Sequence, residues 1–189
     1  ITATTGKSFY DQGETFDALR QLPCVDMVSQ TIEETALVQF EDKQMPVRLH
    51  GVDSTFQQLT QIHRIITDGH YEVYDGAFDR TVLGVGLAAQ LGIGARFVSP
   101  LHLYAPKRHA RVNMLRPDKS FNDEVCFIAG TFAVQQATYD EEVMLVDIDL
   151  TRRLLEYTDT EVTALLIKLS PNTSVKQAKK DIEKVLGNG

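Results

Sequence analysis

A glycine pattern in the segment TVLGVGLAAQLG, residues 81–92, is the first sign of chemistry in the sequence. A short apolar run leads into Gly84 and Gly86, and Ala89 completes a G-x-G-x-x-A spacing. In dinucleotide-binding proteins this spacing joins a strand to a helix and holds the pyrophosphate at the helix N-terminus. The pattern therefore raises the hypothesis of a nicotinamide or flavin enzyme.

Two features that a dinucleotide site requires are missing. The ribose is normally bound by an acid about 20 residues after the glycines, but no acid lies between Asp79 and Asp118. The helix predicted over residues 87–91 is closed at once by Gly92, and it is too short to cross back over a parallel sheet. We interpret the glycines as a tight strand-to-helix turn. A small nucleotide-binding α/β enzyme that uses the Gly84/Gly86 turn is kept as the alternative.

No other residues have the spacing of a catalytic or metal site. The five histidines form no i,i+4 pair and no H-E-x-x-H motif, and solvated or core-edge positions are expected for them: His50, His63, His70, His102 and His109. The acidic run 140–142 precedes an apolar run and is predicted to be a solvated turn. We therefore predict no catalytic residue, no cofactor and no metal.

A basic segment stands out against an acidic chain. It contains Lys107, Arg108, His109, Arg111 and Arg116, with no acid among them. One interpretation is a solvated hairpin tip. The other is a docking surface, because a basic protrusion on an acidic body steers a charged partner.

The charge balance argues against nucleic acid as a partner. The 189 residues carry a formal net charge of −7. Residues 1–80 hold 13 acids and 6 bases, a difference of −7, whereas residues 81–189 hold 13 of each. The chain lacks the broad basic face that binds phosphate backbones. No window approaches the run of about 18 apolar residues of a membrane span, and we interpret the chain as a fragment of a longer protein.

The two cysteines leave two alternatives open. Cys24 and Cys126 lie about a hundred residues apart, each between apolar neighbours. They are expected to be buried thiols that pack as small hydrophobic side chains. A disulfide between them is the alternative, which sequence alone does not decide.

Hydrophobic periodicity predicts short strands in clusters, with few helices between them. Helices are predicted over residues 14–22, 87–91, 148–157 and from Val175 to a C′ residue at Gly187. Strands are predicted over 25–32, 35–40, 47–52, 81–83, 98–104, 125–134, 143–146 and 163–169, and residues 105–124 as a loop or a long protruding hairpin. Because the strands do not alternate regularly with helices, the predicted fold class is α+β.

Four phrases in a fixed order resemble one protein family. They are LHGVD (49–53), LGVGLAAQLG (83–92), FIAGTF (127–132) and DEEVMLV (140–146), the last followed by the predicted helix. Together they resemble the extracytoplasmic, MacB-like core domain of FtsX/MacB-type ABC transporter permeases, and most of all the lipoprotein-releasing LolC/LolE permeases. The resemblance covers residues 45–170. The family's structural motif residues correspond here to Gly51, Asp53, Gly86, Leu87, Ala88, Leu91, Gly92, Gly130, Phe132 and Asp140.

The chain departs from the family pattern in two turns. Ser54 stands where the family has a proline after "G-v-D". The acid that usually follows the glycine after the short helix is missing, since Gly94 is followed by Ala95 and Arg96. Both departures place the subfamily in question more than the fold.

The resemblance implies an architecture and a role. A porter-like α/β lobe is expected from residues 1–50 and 158–189, and a mainly β, sabre-like lobe from residues 51–157. The domain would lie in the periplasm, between membrane helices of a dimeric permease driven by a cytoplasmic ATPase. It would transmit motion without catalysing a reaction. In lipoprotein-releasing members a hairpin binds the periplasmic carrier LolA, and residues 105–124 occupy the corresponding position.

Overall fold

The computed structural model describes residues 1–2, 7–96, 98–108 and 120–187. Its helices are α1 (Glu14–Arg20), α2 (Phe56–Thr60), α3 (Val85–Leu91), α4 (Ala137–Glu142), α5 (Ile148–Leu155) and α6 (Val175–Leu186), with a 3-10 turn at Ile62–Ile65. Its strands are β1 (Phe9–Tyr10), β2 (Val25–Phe40), β3 (Lys43–Val52), β4 (Ile66–Gly69), β5 (Arg80–Gly84), β6 (Leu101–Pro106), β7 (Phe121–Phe132), β8 (Val143–Asp147), β9 (Glu161–Val162) and β10 (Ala164–Leu169). The strands pair mostly antiparallel, and the predicted α+β class is confirmed.

The described residues divide into two compact units. Unit 1 contains Ile1–Thr31, Asp53–Gln61 and Thr160–Gly189, and unit 2 contains Ile32–Val52 and Ile62–Asp159. In unit 1, β10 pairs antiparallel with the first part of β2, from Ala164 opposite Thr31 to Leu169 opposite Val25. The short strands β1 and β9 also pair antiparallel there.

Unit 2 is built on a mixed sheet. β6 pairs antiparallel with the second part of β2 and with β7, while β5 pairs parallel with β7 and antiparallel with β8, and β3 pairs parallel with β8. The apolar core consists of inward-facing strand residues covered by side chains of α3 and α5. Leu87, Leu91, Leu150 and Leu154 are its main helix residues, and each is almost fully buried.

Several predicted boundaries were wrong. The two strands predicted at 25–32 and 35–40 are one continuous strand, β2, which runs through Glu33 and Glu34. The acids are tolerated because side chains alternate between the two faces of a strand, and Glu33 is exposed. The strand predicted from Val98 begins only at Leu101, and Val98 is 86% exposed.

The interpretation of residues 105–124 as a hairpin is correct for its two legs, which are β6 and the first part of β7. β6 and β7 pair antiparallel from Leu101 opposite Cys126 as far as Pro106 opposite Phe121. β7 therefore begins four residues earlier than predicted, because its polar first residues are paired with β6. Residues 109–119, which complete the connection, lie outside the described part of the chain.

Both cysteines are free thiols. Cys126 is fully buried, and this burial, reinforced by the nearby carboxylates of Asp79 and Glu124, raises the pKa of its thiol. Cys24 is half-buried. The expectation of a buried thiol is thus met at Cys126 and only partly at Cys24, and the disulfide alternative is wrong.

Candidate functional site

The turn at Gly84 and Gly86 is a packing contact between two helices of unit 2. A Cβ atom at Gly84 would lie 2.4 Å from the carbonyl oxygen of Asp140 and 2.8 Å from that of Tyr139. A Cβ at Gly86 would lie 2.8 Å from Cγ of Glu141. The missing side chains therefore let the C-terminal end of α4 approach the start of α3. We call this contact the glycine junction.

The glycine junction has the wrong polarity for a phosphate. A dinucleotide site presents backbone N–H groups to the pyrophosphate. Here the groups closest to the Cβ position of Gly84 are the carbonyl oxygens of Tyr139 and Asp140, which carry partial negative charge and would repel an anion. The geometry gives the nucleotide-binding alternative no support.

Asp140 holds α4 at this junction. Its Oδ1 accepts a hydrogen bond of 2.8 Å from the backbone N–H of Val134. Residues 140–142 form the last part of α4 and not the turn predicted for them, while Glu141 and Glu142 are exposed as predicted. The backbone of α4 packs on Gly84 and Gly86 here, a contact that no local sequence pattern indicates.

Three more of the predicted motif glycines lie in turns or close contacts. A Cβ at Gly51 would lie 2.3 Å from Oγ1 of Thr151, and one at Gly130 would lie 2.5 Å from the carbonyl oxygen of His70. Gly92 ends α3 with a φ of 76°, a left-handed conformation that glycine adopts without steric cost. The apolar motif residues are almost fully buried: Leu87, Ala88, Leu91 and Phe132.

Asp53 is a hydrogen-bonding centre in unit 1. Its carboxylate accepts bonds from the Ser29 hydroxyl and the Gln30 backbone N–H, both at 2.7 Å. It also accepts from the Thr55 backbone N–H at 3.0 Å, the Thr55 hydroxyl at 2.6 Å and the Phe56 backbone N–H at 3.1 Å. One side chain thus ties β2 to the start of α2, which gives the acid of the "G-v-D" phrase a structural role.

Of the five basic residues predicted to bind a partner, the structure describes two. The Lys107 backbone N–H donates a 3.0 Å bond to the Ser120 carbonyl and so closes the pairing of the two legs. Arg108 is exposed, yet its guanidinium lies 4.8 Å from the centre of the Tyr157 ring. His109, Arg111 and Arg116 lie outside the described residues.

Arg108 belongs to a set of contacts that sequence reasoning missed. Its backbone N–H donates a 3.0 Å bond to the Glu156 carboxylate, and on the other leg the Asn122 side chain donates a 3.0 Å bond to the Leu154 carbonyl. We call Arg108, Asn122, Glu156 and Tyr157 the hairpin base. No sequence signal could have found it, since its members come from distant parts of the chain and match no motif.

Arg153 forms a further link from α5. Its guanidinium bonds Oδ2 of Asp79 at 2.6 Å and Oε1 of Glu124 at 3.3 Å. It thereby connects the helix with the residue before β5 and with β7. One guanidinium bridges two carboxylates, which is typical of a structural ion-pair network.

The described residues contain no cluster of three or more His, Cys, Asp or Glu side chains that could hold a metal ion. His63 and His70 are exposed, as expected, and His102 is half-buried. His50 differs from its expected position, because it is only 9% exposed and lies with its Nε2 3.5 Å from Glu33.

A cleft in unit 2 has a volume of about 460 Å³. Phe78 and Phe127 meet edge to face in it, with ring centres 5.6 Å apart. Arg80 lies about 6 Å from both rings and is paired with Asp75 at 2.6 Å. The Asp75 carboxylate neutralises this guanidinium, and in the same lining His70 Nε2 lies 3.2 Å from the Glu72 carboxylate.

Comparison of the structure with known proteins gives a consistent result. The extracellular domain of the noncanonic ABC-type transporter YknZ from Gram-positive bacteria matches 96% of this chain and 84% of its own, with a TM-score of 0.63 and 11% identity. The periplasmic region of MacB from Actinobacillus actinomycetemcomitans matches 95% and 80%, with a TM-score of 0.63 and 10% identity. The chain has the MacB-like fold.

A third structure extends this likeness. A domain of a putative permease protein from Porphyromonas gingivalis matches 91% of this chain and 76% of its own, with a TM-score of 0.53 and 17% identity. No protein-family model matches the chain, and no curated protein matches its sequence significantly. The predicted MacB-like fold is confirmed by structure, while these identities are too low to carry a function across by themselves.

Among the described residues, no helix is long and apolar enough to cross a membrane.

Proposed function

We propose that this chain is the extracytoplasmic domain of an ABC-type permease. The observation that carries the proposal is a MacB-like fold over almost the whole chain, shared with the extracellular domain of YknZ and the periplasmic region of MacB. The domain lies outside the cytoplasm and is joined to membrane helices of a dimeric permease. It has no catalytic role, because ATP hydrolysis belongs to a separate ATPase.

The domain transmits ATP-driven motion to a substrate or carrier in the periplasm, in lipoprotein release or a related export. In this proposal a sabre-like lobe, residues 51–157, carries the contact with the carrier, and a porter-like lobe, residues 1–50 and 158–189, connects it with the membrane helices. The two compact units support a division into two lobes, although residues 32–50 fall in unit 2 and residues 53–61 in unit 1.

The hairpin formed by β6 and β7 is the proposed contact with the carrier. The sequence that joins its two strands is basic, with Lys107, Arg108, His109, Arg111 and Arg116, on a chain whose net charge is −7. Localised charge of this kind speeds the approach of an oppositely charged partner. The polar contacts of the hairpin base support the proposal, because a hairpin that engages a partner has to be held in one direction.

Charge reversal tests the contact. Changing Lys107, Arg108 and Arg111 to Glu is expected to reduce capture of the lipoprotein carrier LolA by at least tenfold in a pull-down with the purified domain. The variant that changes only Lys107 and Arg111 leaves the hairpin base intact and is expected to lose most of the same binding. The matched control changes three exposed lysines of α6, Lys176, Lys179 and Lys180, to Glu and should bind as the parent does.

Equal capture by the parent and the hairpin variants would overturn the proposed contact. Capture that falls equally in the α6 control would show that only overall charge matters.

A calorimetric titration with NAD, FAD and ATP addresses the enzyme alternative. We expect no binding heat from any of the three, because the carbonyl oxygens at the glycine junction disfavour phosphate.

A further inference from the structure

Both legs of the β6–β7 hairpin end on the same helix terminus. After β6, the Arg108 backbone N–H binds the Glu156 carboxylate at 3.0 Å, and its guanidinium lies over the Tyr157 ring. At the start of β7, the Asn122 side chain binds the Leu154 carbonyl at 3.0 Å. All three acceptors lie in the last turn of α5 or in the two residues that follow it.

A helix C-terminus is suited to receive these groups. The last four carbonyls of a helix have no partner within the helix, and the Asn122 amide satisfies one of them. The same end carries a partial negative charge, which favours a nearby cation, and Arg108 supplies that cation. The hairpin therefore satisfies one terminal carbonyl of α5 and places a cation near its negative end.

Tyr157 is fixed in position before it meets the hairpin. Glu156 takes a left-handed conformation, with φ of 58°, and the Tyr157 backbone N–H bonds the Arg152 carbonyl at 2.9 Å. This is the six-to-one hydrogen bond of a Schellman motif, in which the residue after the left-handed one turns back onto the helix. The Tyr157 hydroxyl also donates a 3.2 Å bond to Glu34 on β2. The ring under Arg108 is thus held by its backbone and by its hydroxyl.

We infer that α5 and the legs of the hairpin form one rigid element, in which Tyr157 and Asn122 are positioning residues that set the hairpin's direction. The functional consequence of this inference rests on the proposed function. A hairpin held in one direction binds its carrier at a lower entropic cost than a freely moving one. The geometry of the hairpin base is independent of any partner.

The test measures the hairpin's direction without a partner. Nitroxide labels on Lys107→Cys and on Gln90→Cys, an exposed position of α3, report the distance between the hairpin and the body of unit 2 by pulsed electron resonance. Cys24→Ser removes the half-buried thiol, and Cys126 is too deeply buried to be labelled. The parent should give one narrow distance distribution.

We expect the double variant Tyr157→Ala, Asn122→Ala to broaden this distribution at least twofold. Tyr157→Phe keeps the ring under Arg108 and should restore most of the narrow width. Tyr74→Ala is the matched control, because it removes a tyrosine of unit 2 that is 54% exposed and far in sequence from the hairpin, and it should leave the width unchanged.

An unchanged width in the folded double variant would overturn the inference, as would equal broadening in the Tyr74→Ala control. If the double variant does not fold by circular dichroism, the variant Asn122→Ala, Arg108→Gln makes the same test at half-buried and exposed side chains. An unchanged width of the distance distribution in this second variant would overturn the inference as well. Because no carrier is present, these outcomes are separate from those of the pull-down.

Discussion

The glycine junction and the hairpin base both bring a helix end against a distant part of the chain, and they do so by opposite means. At the glycine junction, the absence of side chains at Gly84 and Gly86 allows backbone to meet backbone. At the hairpin base, the long side chains of Arg108, Asn122 and Tyr157 bridge the gap. A close backbone contact leaves no room for an added methyl group, whereas a contact made by exposed and half-buried polar side chains loses less when one of them is removed.

The largest effect is expected at the glycine junction. Gly84→Ala places a methyl group 2.4 Å from a backbone carbonyl oxygen, and backbone cannot move aside as a flexible side chain does. We expect a loss of about 2 to 3 kcal/mol in the free energy of unfolding, measured by urea denaturation.

Gly94→Ala is the matched control for this substitution. Its Cβ would lie 3.8 Å from Oδ2 of Asp68, an ordinary contact, and the change in unfolding free energy should stay within about 0.5 kcal/mol. If Gly84→Ala and Gly94→Ala lower the free energy of unfolding equally, the close contact at Gly84 is not the cause of the loss.

A smaller effect is expected beside the hairpin base. The Arg153 side chain is 47% exposed, and an ion pair at such a position contributes about 1 kcal/mol or less, because water and salt screen it. We expect Arg153→Ala to lower the unfolding free energy by that amount in low salt, and by less in 1 M salt.

Arg64→Ala, at an exposed arginine of unit 2, serves as the control for Arg153→Ala and should be nearly neutral. A double-mutant cycle between Arg153→Ala and Glu124→Gln isolates the coupling of the pair. A coupling of zero would mean that the two side chains are near each other without stabilising the fold.

The smallest effect is expected in the pH dependence of stability that comes from His50. Burial of His50 lowers the pKa of its imidazole, against an opposing effect of Glu33 and with a further lowering by Arg48. The Tyr139 ring of α4 meets the imidazole edge to face at 6.4 Å. The folded state therefore keeps His50 neutral at a pH where the unfolded chain would already bind a proton.

The sign of the dependence follows from this difference. Because the unfolded state binds more protons below its pKa of about 6.5, the free energy of unfolding should fall as the pH drops through that value. His50→Gln should remove this contribution, so that its stability changes less between pH 7.5 and pH 5.5 in urea titrations. An unchanged pH slope in the variant would show that another group is responsible.

The sequence was a good guide where a signal is local. The buried strand β8 and the helix α6 were predicted almost to the residue, because an apolar run and a 3.6-residue period are visible within ten residues. The glycine turn was also interpreted correctly as a strand-to-helix joint. There the argument needed only the missing ribose acid and the short helix.

The sequence was a poor guide where a contact with a distant segment of the chain decides the local structure. Glu33 and Glu34 suggested a break, yet β2 continues through them, with β10 paired to its first part and β6 to its second part. Residues 140–142 suggested a solvated turn, yet they are helical where α4 packs on the glycines. In each case a contact with a distant segment overrides the local preference.

The sequence by itself determined the fold class, the order of most elements and the resemblance to a permease domain, since each depends on patterns that neighbouring residues carry. Only the tertiary structure decided that backbone carbonyls of α4 pack against Gly84, and that the two legs of the hairpin contact Tyr157 and Leu154 at the end of α5. These contacts join residues 32 to 56 positions apart in the chain. Folding alone brings such residues together, so no local pattern records them.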